Sequence, residues 1–215
     1  LKSLTYSVFM ARTFYIPGDS SQITVKQFVA FHLAKTDVDR AMIAANAKRK
    51  DIEALKLDAV LDLINIFEDS MKTGAARHEQ TFFVNKKRLG FIPDFNELSF
   101  KEHVELDTYA QAIFTKDGQN YKELPNLLAV LFRPVHHILG KHYTLREYDS
   151  DKVKTYIDEI NELTMDRVSG ALVFFSTIES ELLNNSLEFL EEMKTKMRTE
   201  LTQLQADSLG GVGST

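Results

Sequence analysis

The chain alternates between stretches with helical spacing of apolar residues and shorter stretches with strand-like alternation, and these two periods set the predicted elements. Residues Thr5 to Ile16 alternate loosely and lead into the turn signal Pro17-Gly18-Asp19, which predicts a short strand or extended arm over residues 1–22. Thr24-Val-Lys-Gln27 has the spacing of a capping box, in which the Thr hydroxyl and the Gln side chain would satisfy each other's exposed backbone N–H groups. A helix is expected from Val25 to Ala34, with Val25, Phe28, Val29 and His32 on one face. Thr36 to Asp39 opens a second helix through Met42 and Ile43. Lys48-Arg-Lys50 is expected at its C-terminal end, where the helix dipole favours cations. After a short helical turn at Asp51–Leu55, the positions Ala59, Leu61, Leu63, Ile64, Phe67 and Met71 keep a 3.6-residue period that ends at Gly74.

The pattern then changes. Thr81–Val84 and Leu89–Ile92 are apolar and rich in β-formers, joined by the polar link Asn85–Arg88, which predicts a β-hairpin at about 81–92. Ser99-Phe-Lys-Glu102 is a second capping box and launches a helix through Val104, Leu106, Tyr109, Ala112 and Ile113. A turn follows at Lys116–Asn120. Pro125 suits the first turn of a helix running from Asn126 to Phe132. Because a residue before proline is pushed out of the α region, Pro134 should stop that helix at Arg133, leaving His136 to Leu139 as loop or a second short turn. Lys141–Tyr148 reads as a short strand, and Asp149-Ser150 caps a helix from Lys152 to Leu163.

A long C-terminal helix is expected over residues 166–206, followed by a flexible tail at 207–215. Its first half is apolar nearly all round. Its second half keeps only the stripe Leu187, Leu190, Met193, Met197, Leu201 and Leu204, which makes those six residues the candidate protein interface. About 40 residues of helix would span about 60 Å, longer than a domain of this size, so part of it should project and favour an oligomer or a larger assembly. Residues 23–165 would form a helical domain with the hairpin inserted. The expected fold is mainly α, a multi-helix bundle with one small hairpin and the long helix.

Composition narrows the chemistry. With 44% hydrophobic and 27% charged residues in 215, the chain should bury a real core. The absence of cysteine excludes disulfides, thiolate metal sites and thiol catalysis. A net charge of −5 argues against a phosphate backbone as main partner, although Lys48–Lys50 and Lys86–Arg88 are local basic clusters. No apolar run approaches the roughly 20 residues of a membrane-spanning helix, and the N-terminal stretch does not read as a signal peptide.

His136, His137 and His142, with Glu147 or Asp149, form the best metal candidate and would suit a metal-dependent hydrolase. Their spacing matches neither a helix-face motif nor a zinc-finger motif, so a structural reading is favoured. Asp58 and Asp62 stand four apart on one helix and read as a solvated face rather than an acid–base pair. Nucleotide cradles and the GxSxG elbow are missing. No catalytic, cofactor-binding or metal-ligating residue is therefore assigned. Arg133 and Pro134 are assigned structural roles, with Arg133 expected to bond a helix C-terminus or a carboxylate such as Glu147.

Several segments in order carry a resemblance: ITVKQFVAF, then LGFIPDFNELSFKEHVELDTYA, then LPNLLAVLFRPV followed by YTLREYD, and finally GALVFFSTIESELL. Together, from Ile23 to Leu183, they resemble mid-sized proteins of tailed bacteriophages encoded among virion and tail-assembly genes. Those proteins are described as tail assembly chaperones, baseplate-hub-type proteins or minor structural proteins. The resemblance implies a mostly helical fold with a small hairpin and no enzymatic activity. It also implies other phage structural proteins as partners, which places the chain in the virion or in the host cytoplasm during assembly, while the apolar runs and net charge above leave a membrane and nucleic acid as unexpected partners. The N-terminal arm and the helix beyond Leu187 fall outside the pattern. The rival expectations are the histidine-based hydrolase and a DNA-associated packaging or regulatory protein using the two basic clusters.

Overall fold

The computed structural model describes residues 5–8, 12–77, 79–92, 98–115, 118–140 and 142–172. The chain divides into one unit at Leu1–Ala171 and another at Leu172–Thr215. Apart from Leu172, the second lies outside the described residues, and so do Leu187, Leu190, Met193, Met197, Leu201 and Leu204.

The N-terminal arm is a hairpin of β1 (Thr5–Val8) and β2 (Arg12–Tyr15). Helix α1 (Val25–Leu33) starts where Thr24 predicts: its hydroxyl accepts from Gln27 N at 3.2 Å. The Gln27 side chain does not return the bond. It donates to Ile43 O at 2.9 Å and so ties α1 to the end of α2 (Asp37–Ala44). Thr36 caps α2, and Asn46 leaves it in the left-handed region at φ 46°. The basic cluster belongs to the next element: Arg49 opens α3 (Arg49–Ile52) and pairs with Asp39 and Glu53.

Helix α4 (Leu57–Lys72) buries Val60, Leu63, Ile64 and Phe67, and the Phe67 ring lies 4.7 Å from that of Phe31. Its end is seated on the Pro17–Ser20 turn. Ser70 Oγ donates to Pro17 O at 2.7 Å, and Ser20 N donates to Thr73 O at 2.9 Å. Gly74 is required there, since its φ is +117° and a Cβ would stand 2.5 Å from Ser20 Oγ.

The predicted hairpin is present as β3 (Thr81–Val84) and β4 (Lys87–Phe91). Its turn is only Asn85-Lys86, both at positive φ (46° and 70°), the geometry whose twist matches a hairpin. It does not stand alone. Strands β7 (Phe132–Leu139) and β8 (His142–Leu145) join it in an antiparallel sheet of order β3-β4-β7-β8. Between the hairpins run α5 (Phe100–Ile113), the short pair β5 (Phe114–Thr115) and β6 (Gly118–Gln119), and the apolar α6 (Leu124–Leu131). Six of the eight residues of α6 are buried, which makes it the central helix.

The chain is therefore mixed α and β, not the mainly α bundle with a lone hairpin that periodicity predicts. The difference arises at Phe132. Pro134 does end α6, but the chain passes straight into β7 without a loop, because proline and its predecessor both favour extended backbone. The residues expected as loop, His136 to Leu139, are strand. The predicted helix from Lys152 to Leu163 is also split. Asp149 caps a 3-10 turn at Ser150–Thr155, Tyr156 leaves helical geometry at φ −137°, and α7 covers only Ile157–Asn161. Residues 165–172 are helical and bury Met165, Val168 and Ala171.

One sheet face carries Phe82, Val84, Leu89, Phe91 and Phe132 into the core. The other carries Phe83, Arg88, Gly90 and Arg133. At Gly90 side chains of β7 and β8 reach over β4: a Cβ there would lie 2.7 Å from Leu145 Cδ2, 2.9 Å from Tyr143 Cε2 and 3.1 Å from Val135 Cγ2. Gly90→Val should overfill this site and cost about 1–3 kcal/mol. A thermal melt checks it, and an unchanged Tm would show that β8 can lift away freely.

Candidate functional site

Strand β7 changes partner part-way along. Phe132, Arg133 and Pro134 pair with Phe91, Gly90 and Leu89 of β4. From Val135 onward, with a register shift before His137, the partner is β8. Proline can sit at this crossover because it owes no N–H to the ladder, while its carbonyl accepts from Arg146 N at 3.0 Å.

Arg133 is the hub of the opposite face. Its Nη1 lies 2.8 Å from Glu102 Oε1, with the two side chains only 12% and 7% exposed. Nη1 also donates to Arg146 O at 3.4 Å. Of the expected partners, a helix C-terminus or a carboxylate such as Glu147, it is a carboxylate that Arg133 pairs with, but that of Glu102. Glu102 is already committed to the predicted capping box, since its Oε2 accepts from Ser99 N at 2.7 Å and Ser99 Oγ at 2.6 Å. One carboxylate thus starts α5 and neutralises an arginine on the sheet. Each residue stood out in the sequence, but no local spacing pairs them.

Two clefts meet at Arg133. One, of about 570 Å³, is lined by Arg133, His136, Arg146, Glu147, Lys152 and Tyr156 among others. The second, of about 510 Å³, opens between Arg133, Glu102, Tyr143 and Tyr148. Their tyrosines are bound to fixed acceptors. Tyr148 donates to Glu105, Tyr143 to Phe91 O at 2.5 Å, and Tyr156 to Ala129 O at 3.0 Å. Burial pushes Tyr156 up to about 12, with Arg133 opposing and nearby carboxylates adding. Burial and the bond to Glu105 raise Tyr148 well above the usual phenol range. Burial also raises Tyr143. At the rim, Lys152 lies 2.9 Å from Asp149 and, with the Asp151 backbone, holds that carboxyl below its usual range. The three phenol protons are thus each held by an acceptor within the chain.

The three histidines are not brought to one point. His136 and His137 have ring centroids 3.9 Å apart on β7, whereas His142 pairs across the ribbon with Leu139. Among the described residues no group of three or more His, Asp or Glu could hold a metal ion. One member of the first basic cluster and two of the second are paired: Arg49 with Asp39 and Glu53, Lys87 with Glu159 at 2.9 Å, and Arg88 with Thr81 Oγ1 and, at 5.4 Å, the Phe83 ring, while Lys48, Lys50 and Lys86 are exposed. Asp58 and Asp62 are both exposed on α4.

Two adjacent apolar residues are exposed at the end of the β7–β8 ribbon, Leu139 at 83% and Ile138 at 43%. Sequence reading missed them because these positions were expected in a loop. Their signal is an apolar pair just before Gly140, which turns the ribbon at φ 63°. No protein-family model, curated protein or solved structure matches the chain.

Proposed function

We propose that this protein is a non-enzymatic component of a tailed bacteriophage that works by protein–protein contact, either as a minor virion protein of tail, baseplate or neck or as a tail assembly chaperone. The observation that carries the reading is the exposed apolar end of the β7–β8 ribbon. Leu139 stands in water at the end of a paired ribbon with Ile138 partly exposed beside it, and the two suit a partner's apolar surface. The ordered resemblance from Ile23 to Leu183 supplies the setting. The tyrosines of the clefts are tied to fixed acceptors, and Arg49, Lys87 and Arg88 are already paired within the chain. Among the described residues no helix is long and apolar enough to cross a membrane.

The test is quantitative mass spectrometry of purified particles and of assembly intermediates. Peptides at a fixed copy number in mature virions are expected for a structural subunit, and peptides confined to intermediates for a chaperone. Absence from both, with no phage structural protein co-purifying, overturns the reading.

A further inference from the structure

We propose that two copies of this chain associate through the open edge of β3, antiparallel and centred on Phe83, to continue the four-stranded sheet across a twofold axis. The inference deepens the reading of a protein that works by contact, by naming a second copy as one of its partners.

Among the described residues β4 is the only strand beside β3, so one side of its backbone has no ladder. The register decides which groups face that side. A two-residue hairpin closes on the pair Val84 and Lys87, and the next hydrogen-bonded pair is Phe82 and Leu89. The N–H and C=O of Thr81 and Phe83 therefore point away from β4. Setting Phe83 opposite Phe83 of a second copy lets the two exchange both backbone hydrogen bonds. The side chains then match by face. Phe82 lies opposite Val84 on the core side, and the two Phe83 rings meet on the open side, where each is now 66% exposed.

Charge selects this edge, and the two faces of the sheet select the direction. Edge strands are usually blunted by charged side chains, and Thr81-Phe-Phe-Val84 carries none. Antiparallel pairing about an axis normal to the sheet keeps the two core faces on one side, whereas Glu79 is already paired with Arg77 and Arg167 and leaves the direction to the faces. The opposite edge, β8, is flanked by Lys141 and Arg146, which self-pairing would push together.

The experiment is sedimentation equilibrium of the full chain, wild type against Phe83→Lys and Phe83→Thr, with a crosslinking arm. The chain has no cysteine, so Phe83→Cys and Phe100→Cys each introduce a single thiol. Cα atoms facing across a hydrogen-bonded pair stand about 5.5 Å apart, within disulfide reach. The expected result is a wild-type dimer and a dissociation constant raised at least about tenfold by Phe83→Lys, since like charges directly opposite repel. Phe83→Thr should have a smaller effect, and Phe83→Cys should crosslink faster than Phe100→Cys on the exposed face of α5. A wild-type monomer, a dimer indifferent to Phe83→Lys, or equal crosslinking of the two thiols overturns the proposal. A monomer found in virions would overturn the seam and leave the contact reading standing. A β3-paired dimer absent from particles and intermediates would do the reverse.

Discussion

Arg133→Ala is expected to be among the most destabilising single changes in the described part of the chain, with a loss of about 3–5 kcal/mol. The reason is what it leaves behind. Glu102 is 7% exposed and its Oε2 is bound to Ser99, so the carboxylate cannot swing to water without undoing the start of α5. Without the guanidinium 2.8 Å away, its charge is buried and uncompensated. The Arg146 carbonyl loses its contact as well. For a chain of this size each kcal/mol moves the midpoint by about 2–4 °C, so Tm should fall by roughly 10 °C in a melt followed by circular dichroism. Glu102→Gln combined with Arg133→Ala should recover part of the loss, because the amide carries no charge and its oxygen can still accept from Ser99. A Tm drop under about 2 °C for Arg133→Ala would show that the pair contributes little.

The same residues show what a sequence yields and what it withholds. Ser99 and Glu102 are legible as a cap because the cap is local: its two bonds depend on a spacing of three. Thr24 and Thr36 are legible for the same reason, although Gln27 spends its side chain on α2. The hairpin announces itself through two β-rich apolar pieces joined by a polar link, although the turn is only Asn85-Lys86 and not the whole of Asn85–Arg88. What joins that hairpin to β7 does not. The ladder from Phe91 to Phe132 links segments separated by two helices, and which strands meet follows from the volume α5 and α6 leave between them, not from alternation along either strand. Strand β7 hides further, since a register shift before His137 breaks its period and Pro134 reads as a stop. Arg133 was legible as a structural residue, yet its partner was not, because a buried ion pair is chosen by the fold. The apolar end at Ile138 and Leu139 was overlooked for the same reason as the strand that carries it.

Phe132→Ala is expected to cost about 3–5 kcal/mol, the range for removing a buried phenylalanine from a core that cannot close over the gap. Phe132 is 2% exposed, and its ring centroid lies 5.6 Å from that of Phe82 and 5.2 Å from that of Phe91. It is also the residue at which α6 becomes β7, with Leu131 O accepting from Ile92 N at 3.0 Å just before it. The three rings come from β3, β4 and β7, so one truncation loosens three strands at once, and α6 is too fully enclosed to shift into the cavity. Urea unfolding monitored by circular dichroism measures the loss. Phe100→Ala is the control: that ring is 84% exposed, and its removal should stay within about 0.5 kcal/mol of wild type. Hydrogen exchange adds a spatial reading. If the rings hold the two hairpins together, amides of β4 and the first half of β7 should exchange faster in Phe132→Ala, while those of α4 keep their protection relative to the global opening. A loss under about 1 kcal/mol would mean the sheet is held by its ladder and by α6, with the aromatic triad only filling space.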